Sequence, residues 1–364
     1  MLTNQFKINY SVGSIANGIK TDTFTFFLLF FYSNIIGLNP GLAGTAIFIA
    51  LCVDAFTDPL MGTISDRTNT SFGRRHPYMF ISFIPMSLGY IFLFAPRQDW
   101  DMSQSDLFVW MTIFTILTRI GMTLFDIPHR AFGGEITKNY NERTLLMSWR
   151  EMFAWVAGLS NAFLGYGVFF ASTPEFPQGQ LNPDAWFPFA LTGALIMIFS
   201  VLYSSLSTKN EINSLSKWSG SIALGAILNE LKIALGNKSF LIFFFGNLFL
   251  SLAWGLANTL TLFVNTYFWE FEATQIKYFL PIYLFATLFA FYLTPIMVKL
   301  YDKRIIVLVC IGAVGLLSPA AFIMYNLGLT PEKGSMQLVF FISSFLLFLI
   351  TFNIVGIMVR DSMI

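Results

Sequence analysis

Long apolar stretches alternate with short polar connections along the whole chain. A hydrocarbon core of about 30 Å is crossed by roughly 20 apolar residues in helical conformation, and stretches of this length recur ten times. The predicted spans lie near residues 10–33, 41–65, 77–95, 107–130, 149–171, 186–207, 240–268, 277–298, 305–326 and 336–358. The pattern predicts an all-α membrane protein with about ten transmembrane helices, surrounded by the lipid bilayer.

Composition supports this interpretation. Hydrophobic residues make up 55% of the 364 residues and charged residues only 11%, whereas soluble domains carry about 25% charged residues. The net charge of +1 gives no indication of nucleic acid binding. Cys52 and Cys310 both fall in apolar spans, so no disulfide framework is indicated. The chain has no nucleophile elbow, zinc-binding helix or P-loop motif, and we therefore expect neither an enzyme nor a bound cofactor.

Lysine and arginine are divided unequally between alternate connections. One set of connections holds 16 of these residues and the other holds three, Arg97, Lys277 and Lys333. Because cytoplasmic connections carry the excess of basic residues, we expect a cytoplasmic N-terminus in a multi-pass protein of the plasma membrane, which in bacteria is the inner membrane.

The longest predicted cytoplasmic connection, residues 208–239, separates six spans from four. Leucines recur in it at helical spacing, at Leu224, Leu228, Leu231 and Leu235, which predicts an amphipathic helix on the membrane surface. We expect a six-helix N-terminal bundle over residues 1–207, this linker, and a four-helix C-terminal bundle over residues 240–364.

Four aspartates lie well inside predicted spans, and all belong to the first half: Asp22, Asp54, Asp58 and Asp126. An ionised aspartate at the centre of a spanning helix costs about 2.5 to 3.5 kcal/mol, so a proton, a metal cation or a basic side chain must neutralise it. Asp54 and Asp58 project from one helical face, and their repulsion favours uptake of a cation or a proton. Counting residues from the outer ends of the predicted spans, at about 1.5 Å per residue, places Asp126 at a depth in the membrane similar to that of Asp54 and Asp58.

Two hydroxyls and two basic groups accompany these acids. Thr57 and Thr123 would add neutral oxygen ligands of the kind that hard cations accept. Lys20 and Arg119 are the basic residues deep within spans, and each could contact a substrate. The alternative is that Arg119 or Lys20 pairs with the acids and locks helices together. Two bases do not neutralise four acids, so we expect about two negative charges to remain for a bound ion.

Three segments resemble the glycoside-pentoside-hexuronide:cation symporters, a melibiose permease-like branch of the major facilitator superfamily. DAFTDPLMGTISDRTNTSFGRRHPY (54–78) resembles the second span and following loop of that family, and FDIPHRAFGGEIT (125–137) resembles its span 4 signature. Residues 12–38 fit its first helix. The resemblance implies the major facilitator superfamily fold of 12 helices with alternating access. About ten helices would then be present, and we expect the C-terminal two to be missing.

The resemblance also implies functional residues. The cation site of the family falls on Asp54, Thr57, Asp58 and Thr123, with Na⁺ held at Asp54 and Asp58 if sodium is the ion. Substrate-binding positions fall on Asp126 and Arg150, to which the residues themselves add Lys20, Asp22 and Arg119. The cytoplasmic gate falls on Gly62, Asp66, Arg67, Gly73, Arg74 and Arg75. The sugar-binding aspartate of span 1 falls at Gly18, so glycoside specificity is not carried over.

We therefore expect a secondary active transporter, a monomer that couples symport of a small molecule, a sugar or glycoside, to Na⁺ or H⁺. Two alternatives stay open. The first is a cation-coupled carrier of a lysolipid or another amphipathic solute. The second is a non-transporting membrane sensor, which would bind a substrate without accumulating it.

Overall fold

The computed structural model describes residues 2–137, 140–209 and 236–361. All regular secondary structure in these residues is helical. The α-helices are α1 (Asn4–Val12), α2 (Ser14–Asp22), α3 (Leu28–Phe30), α4 (Pro40–Arg67), α5 (His76–Ile81), α6 (Phe83–Leu93), α7 (Gln104–Glu135), α8 (Tyr140–Leu164), α9 (Trp186–Ser207), α10 (Lys238–Phe263), α11 (Ala273–Ile276), α12 (Phe279–Leu300), α13 (Lys303–Asn326) and α14 (Met336–Asp361). The leucines of the predicted amphipathic linker helix, residues 224–235, lie outside the described residues.

Within the described residues, nine helical stretches are long and apolar enough to cross a membrane. They are Pro40–Arg67, His76–Leu93, Gln104–Glu135, Leu145–Phe169, Pro183–Ser207, Phe244–Phe268, Ala273–Leu300, Lys303–Asn326 and Met336–Ile357. Each overlaps one of the spans predicted after the first, which confirms the all-α membrane class.

The first predicted span is helical but is not one regular α-helix. After α2 the chain forms a π-helical turn over Thr23–Phe27 and, beyond α3, a second one over Phe31–Ile36. Each π turn closes an i to i+5 hydrogen bond and so holds one residue more than an α turn. The segment ends at Gly37, whose φ of +84° lies in the left-handed region that favours glycine.

Local sequence signals explain where the two site helices begin. At the start of α4 the Asn39 side chain accepts a hydrogen bond from the Gly41 backbone N–H at 2.8 Å. At the start of α7, Ser103 and Asp106 form a reciprocal capping box. Both helices continue through an internal proline, Pro59 in α4 and Pro128 in α7.

The chain divides into two compact units, each described here by itself. The first comprises Met1–Gly158 and Trp186–Leu262. Its helices approach closely at glycines: a Cβ atom added to Gly121 of α7 would lie 2.3 Å from the backbone nitrogen of Met86 in α6. Its aromatic core surrounds the fully buried Trp186, which contacts the rings of Phe27, Phe30, Phe31 and Phe94.

The second unit comprises Leu159–Ala185 and Phe263–Ile364. A buried apolar cluster joins α12, α13 and α14 through Ala290, Ile306, Cys310, Val355 and Val359. The division of the chain at residues 208–239, with six helices before it and four after it, stays a prediction.

Candidate functional site

A cavity of about 70 Å³ lies in the first unit between α2, α4 and α7. Its lining residues are Asn17, Lys20, Asp54, Asp58, Arg119, Met122, Thr123, Asp126 and Ile127. Six of these were candidate residues from the sequence. Sequence analysis missed Asn17, Met122 and Ile127, although Asn17 lies three residues before Lys20 and so shares its helical face.

Asp54 has a basic partner in this structure. Arg119 Nη1 donates a hydrogen bond to Asp54 Oδ2, and the two side chains are only 12% and 22% exposed. The Arg119 guanidinium also lies 5.5 Å from the centroid of the Phe24 ring. Among the described residues, Asp54 Oδ1 has no hydrogen-bond partner. The Arg119 side chain therefore neutralises Asp54 in this structure.

The carboxylate of Asp58 has a hydroxyl as its partner, whereas that of Asp54 has an arginine. The Thr123 hydroxyl donates to Asp58 Oδ1 at 2.6 Å. Across residues 2–137, 140–209 and 236–361, no lysine, arginine or histidine nitrogen lies within 4 Å of this carboxylate. The Thr57 hydroxyl instead donates to the backbone oxygen of Asp54 at 3.5 Å, and Thr57 does not line the cavity. Asp58 and Thr123 thus form the part of the predicted cation site that is free of a base.

Asp126 receives two arginines. Arg150 Nη2 donates to Asp126 Oδ1, and Arg130 Nε donates to Asp126 Oδ2 at 2.7 Å. Arg150 is buried, with a side chain 2% exposed, and also donates to Glu151 at 2.6 Å. The sequence count of two bases for four acids is corrected here, because Arg130 and Arg150, at the ends of their predicted spans, pair with Asp126 while Arg119 pairs with Asp54.

Lys20 and Asp22 are separated by the fold. Lys20 lines the cavity, with Nζ 5.9 Å from the centroid of the Phe24 ring. Asp22 does not line the cavity but faces α8, where a Cβ atom added to Gly158 would lie 3.2 Å from the Asp22 Cβ. In the part of the chain that the structure describes, the buried Asp22 Oδ2 has no hydrogen-bond partner.

A second charged cluster lies at the ends of α4 and α7. Arg75 Nη2 donates to Asp66 at 2.9 Å and to Glu135 at 2.5 Å, and Arg74 pairs with Glu135 at 2.6 Å. Burial lowers the pKa of the Arg75 guanidinium, and the carboxylates of Glu135 and Asp66 act in the opposite direction. Of the residues predicted for the gate, Asp66, Arg74 and Arg75 thus come together, while Glu135 was missed although it lies in the FGGEIT motif.

The other predicted gate residues shape the backbone. Gly73 has a φ of +75°, which favours glycine in the loop before α5. Gly62 faces α7, since a Cβ atom added there would lie 3.7 Å from Ile127 Cγ2. Arg67 is the last residue of α4.

Comparison with known proteins places this arrangement in a family. The family model of MFS/sugar transport proteins matches residues 9–364. The chain belongs to this family. Its members are transport proteins and not enzymes, in agreement with the sequence analysis.

Two curated relatives of this family are similar over large parts of the chain. The putative glycoside/cation symporter YagG of Escherichia coli (strain K12) is 29% identical over 238 residues, which are 65% of this chain and 49% of that protein. The isoprimeverose transporter of Lactiplantibacillus pentosus is 26% identical over 301 residues, or 82% of this chain and 60% of that protein. The chain thus spans about half the length of these two relatives.

A solved structure confirms the fold. The inward open xylose transporter XylE from E. coli superposes with a TM-score of 0.66 at 14% identity, covering 97% of this chain and 80% of that one. The chain therefore has a major facilitator superfamily fold, as the resemblance of its three segments implied.

Proposed function

We propose that this protein is a secondary transporter that couples uptake of a sugar or glycoside to a cation by alternating access. The supporting observation is Asp58, a carboxylate in a membrane-spanning helix that faces a cavity without a basic partner among the described residues. Ionisable groups inside membrane spans are costly and mark ion or substrate pathways. The names of the two relatives, a glycoside/cation symporter and a sugar transporter, agree with this choice.

The coupling cation binds Asp58 and Thr123 in this proposal. A carboxylate and a hydroxyl oxygen suit Na⁺, and the carboxylate alone suffices for H⁺. Asp54 joins the site when Arg119 turns away from it. Thr57, the remaining residue of the predicted cation site, gives the cation no ligand in this proposal, because its hydroxyl donates to the backbone oxygen of Asp54.

Substrate binds at Asp126, Arg150, Arg119 and Lys20, next to the cation. If the cation tightens the binding of the substrate, the substrate tightens the binding of the cation by the same factor. Asp22 faces away from this cavity, and we assign it no contact with the solute.

The cluster of Asp66, Arg74, Arg75 and Glu135 closes the cytoplasmic side in this proposal. Charged groups at helix ends stabilise the closed state because their ion pairs break when the helices separate.

The remaining features of the proposal concern the whole protein. The N-terminus is cytoplasmic, the protein is a monomer in the plasma membrane, and the second half forms a helical bundle of its own.

Replacing Asp58 by asparagine tests the cation site. We expect the factor by which the cation stimulates isoprimeverose uptake to fall at least about tenfold in Asp58→Asn, in line with typical coupling strengths. Asparagine has no negative charge to attract Na⁺ and no carboxylate to take up H⁺. Uptake by the full chain in proteoliposomes is measured under imposed Na⁺ and pH gradients. Asp99→Asn, the same change at an exposed carboxylate, is the matched control.

Three results would contradict this proposal. If the cation stimulates uptake by Asp58→Asn as much as by the unaltered protein, Asp58 is not part of the cation site. Uptake of lysophosphatidylcholine, but of no sugar, favours the lysolipid alternative. Binding without accumulation in sealed vesicles favours the sensor.

A further inference from the structure

We propose that Asp22 is a proton-binding site between α2 and α8, and that these helices pack closely only while the proton is bound. The inference starts from the four acids inside the predicted spans. Asp54 and Asp126 pair with arginines, and Asp58 accepts a hydrogen bond from Thr123. Among the described residues, the buried Oδ2 of Asp22 has neither kind of partner. The site is separate from the coupling cation and the solute, which do not contact Asp22 in the proposed function.

The contact of α2 with α8 holds Asp22 against a helix backbone. A Cβ atom added to Gly158 would lie 3.2 Å from the Asp22 Cβ, 3.4 Å from its Cγ and 3.3 Å from the Gly18 carbonyl oxygen. One turn earlier in both helices, a Cβ atom added to Gly18 would lie 2.0 Å from the Ala154 carbonyl oxygen. On this side the carboxyl group is therefore covered by the backbone of α8 and not by water.

The two helices packed most closely against α2 bring no base to Asp22. In α8 the nearest charged residues along the helix are Arg150 and Glu151, which pair with each other two turns before Gly158. In α9 the titratable residue is Tyr203, whose hydroxyl bonds to a side chain of α1. Neither helix therefore neutralises an ionised Asp22.

The other neighbouring elements do not supply a base either. From α6, the hydroxyl of Tyr90 forms a 2.8 Å hydrogen bond with that of Thr23, the residue after Asp22. A tyrosine stays neutral below about pH 10 and does not compensate a carboxylate. The charged residues of α2 and of the middle of α7 line the cavity instead, which Asp22 does not: Lys20, Arg119 and Asp126.

A proton satisfies Asp22 better than a metal cation does. A buried carboxyl group without a basic partner is more stable when neutral, and a proton needs no further ligand. A metal cation takes several oxygen ligands, and no cluster of three or more histidine, cysteine or acidic side chains in the described part of the chain could hold one. The residue as a whole is only partly buried, which leaves the proton a route to it.

The proton also gives the carboxyl group a donor. Short polar side chains in helices donate to the carbonyl oxygen of the preceding turn, and for Asp22 this is the Gly18 carbonyl oxygen, which lies beside Gly158. The packed helices thus bind a proton that separated helices release, so their contact loses stability as the pH rises. Because α2 carries Lys20 and α8 carries Arg150, alkaline pH acts on the substrate side of the site without acting on Asp58.

Infrared spectroscopy of the full chain in nanodiscs tests for the proton. The pH is stepped from about 6 to about 9, a range in which an ordinary aspartate stays ionised. We expect the unaltered chain to lose the C=O stretching band of a protonated carboxyl group across this step, and Asp22→Asn to lack that band at both pH values. Asp99→Asn, at an exposed carboxylate, is the matched control and should keep the band. Any band that disappears in Asp58→Asn belongs to the coupling-cation site.

Thermal unfolding in detergent tests the packing of the helices. We expect the melting temperature of the unaltered chain to fall over the same pH step by at least about 2 °C more than that of Asp22→Asn, because asparagine stays neutral. Asp99→Asn should follow the unaltered chain. Asp22→Leu, which is uncharged and similar in shape, should behave like Asp22→Asn and provides the comparison if the asparagine variant does not fold.

The outcomes separate this inference from the proposed function. Carboxyl bands that are unchanged in Asp22→Asn overturn the proton site. An equal pH-dependent loss of melting temperature in the unaltered chain and in both neutral variants overturns its role in packing. Either result leaves the cation site at Asp58 standing, because that site is tested by the cation stimulation of uptake in Asp58→Asn.

Discussion

Arg119 occupies the place where the sequence suggested a mobile ion. Its guanidinium is held by Asp54 and by the face of Phe24, and it is almost fully removed from solvent. Breaking a buried ion pair by removing one partner is much more costly than removing both partners together. The ion pair therefore predicts a coupling between the stability effects of substitutions at Arg119 and Asp54, which an ion bound at Asp54 would not give.

Removal of Arg119 alone should destabilise the protein more than removal of the whole pair. We expect Arg119→Leu to lower the free energy of unfolding by up to about 3 kcal/mol, because it leaves Asp54 charged and unpaired. The double variant Arg119→Leu with Asp54→Leu should recover much of this loss. Thermal unfolding in detergent, analysed as a double-mutant cycle, measures the coupling, and additive effects of the two changes would show that the pair is not formed.

The residues of the site were predictable where one helix was enough to define their relation. Spacing of i and i+4 placed Asp54 and Asp58 on one face, and counting from the helix ends placed Thr123 and Asp126 at their depth. Contacts between helices were not predictable in this way. The convergence of Arg130 and Arg150 on Asp126 depends on how α7 and α8 pack, and the bond from Thr57 to its own helix depends on a side-chain rotamer.

At the scale of helices, the close contact of α2 with α8 determines what residue 18 can be. A Cβ atom added to Gly18 would lie 2.0 Å from the carbonyl oxygen of Ala154. The sugar-binding aspartate that the family resemblance placed at this position would not fit. The glycine at position 18 thus fits the close packing of α2 against α8.

Adding a single methyl group at Gly18 should therefore be costly. We expect Gly18→Ala to lower the free energy of unfolding by on the order of 1 to 3 kcal/mol, as for other overpacked positions. Gly44→Ala is the matched control, because no atom lies within 4 Å of a Cβ added there, and it should have little effect. Equal melting temperatures for the two variants in detergent would argue against the close helix contact.

The helices themselves were largely predictable from hydropathy, because the length of an apolar stretch reports the thickness that it must cross. The first span shows the limit of that signal. Its composition indicated a single helix, whereas the structure has two π turns there. Hydropathy reports burial in the membrane and not the hydrogen-bond register of the backbone, so it does not distinguish a π turn from an α turn.

At the scale of the whole molecule, the orientation in the membrane rests on the distribution of basic residues. The loop between α4 and α5 carries Arg74 and Arg75, whereas the loop between α6 and α7 carries only Arg97. The positive-inside rule assigns the first loop to the cytoplasm and the second to the outside. Both loops have exposed residues at which a reporter can be placed.

Single cysteines in these loops should react from opposite sides. In a background without Cys52 and Cys310, we expect Asp99→Cys to react with a membrane-impermeant maleimide in intact cells. Asn69→Cys should react only after permeabilisation. Both positions are exposed, so poor access does not explain a difference, and the reverse pattern of labelling would invert the proposed topology.

The described charges at the cavity have a consequence for the response to voltage. Lys20, Arg119, Arg130 and Arg150 carry four positive charges, and Asp54, Asp58, Asp126 and Glu151 carry four negative ones. A membrane potential of 100 mV acts on each uncompensated elementary charge with about 2.3 kcal/mol. Since these eight charges sum to zero, a uniform field exerts no net force on the set, and a bound cation or a charged solute adds its own charge to the response.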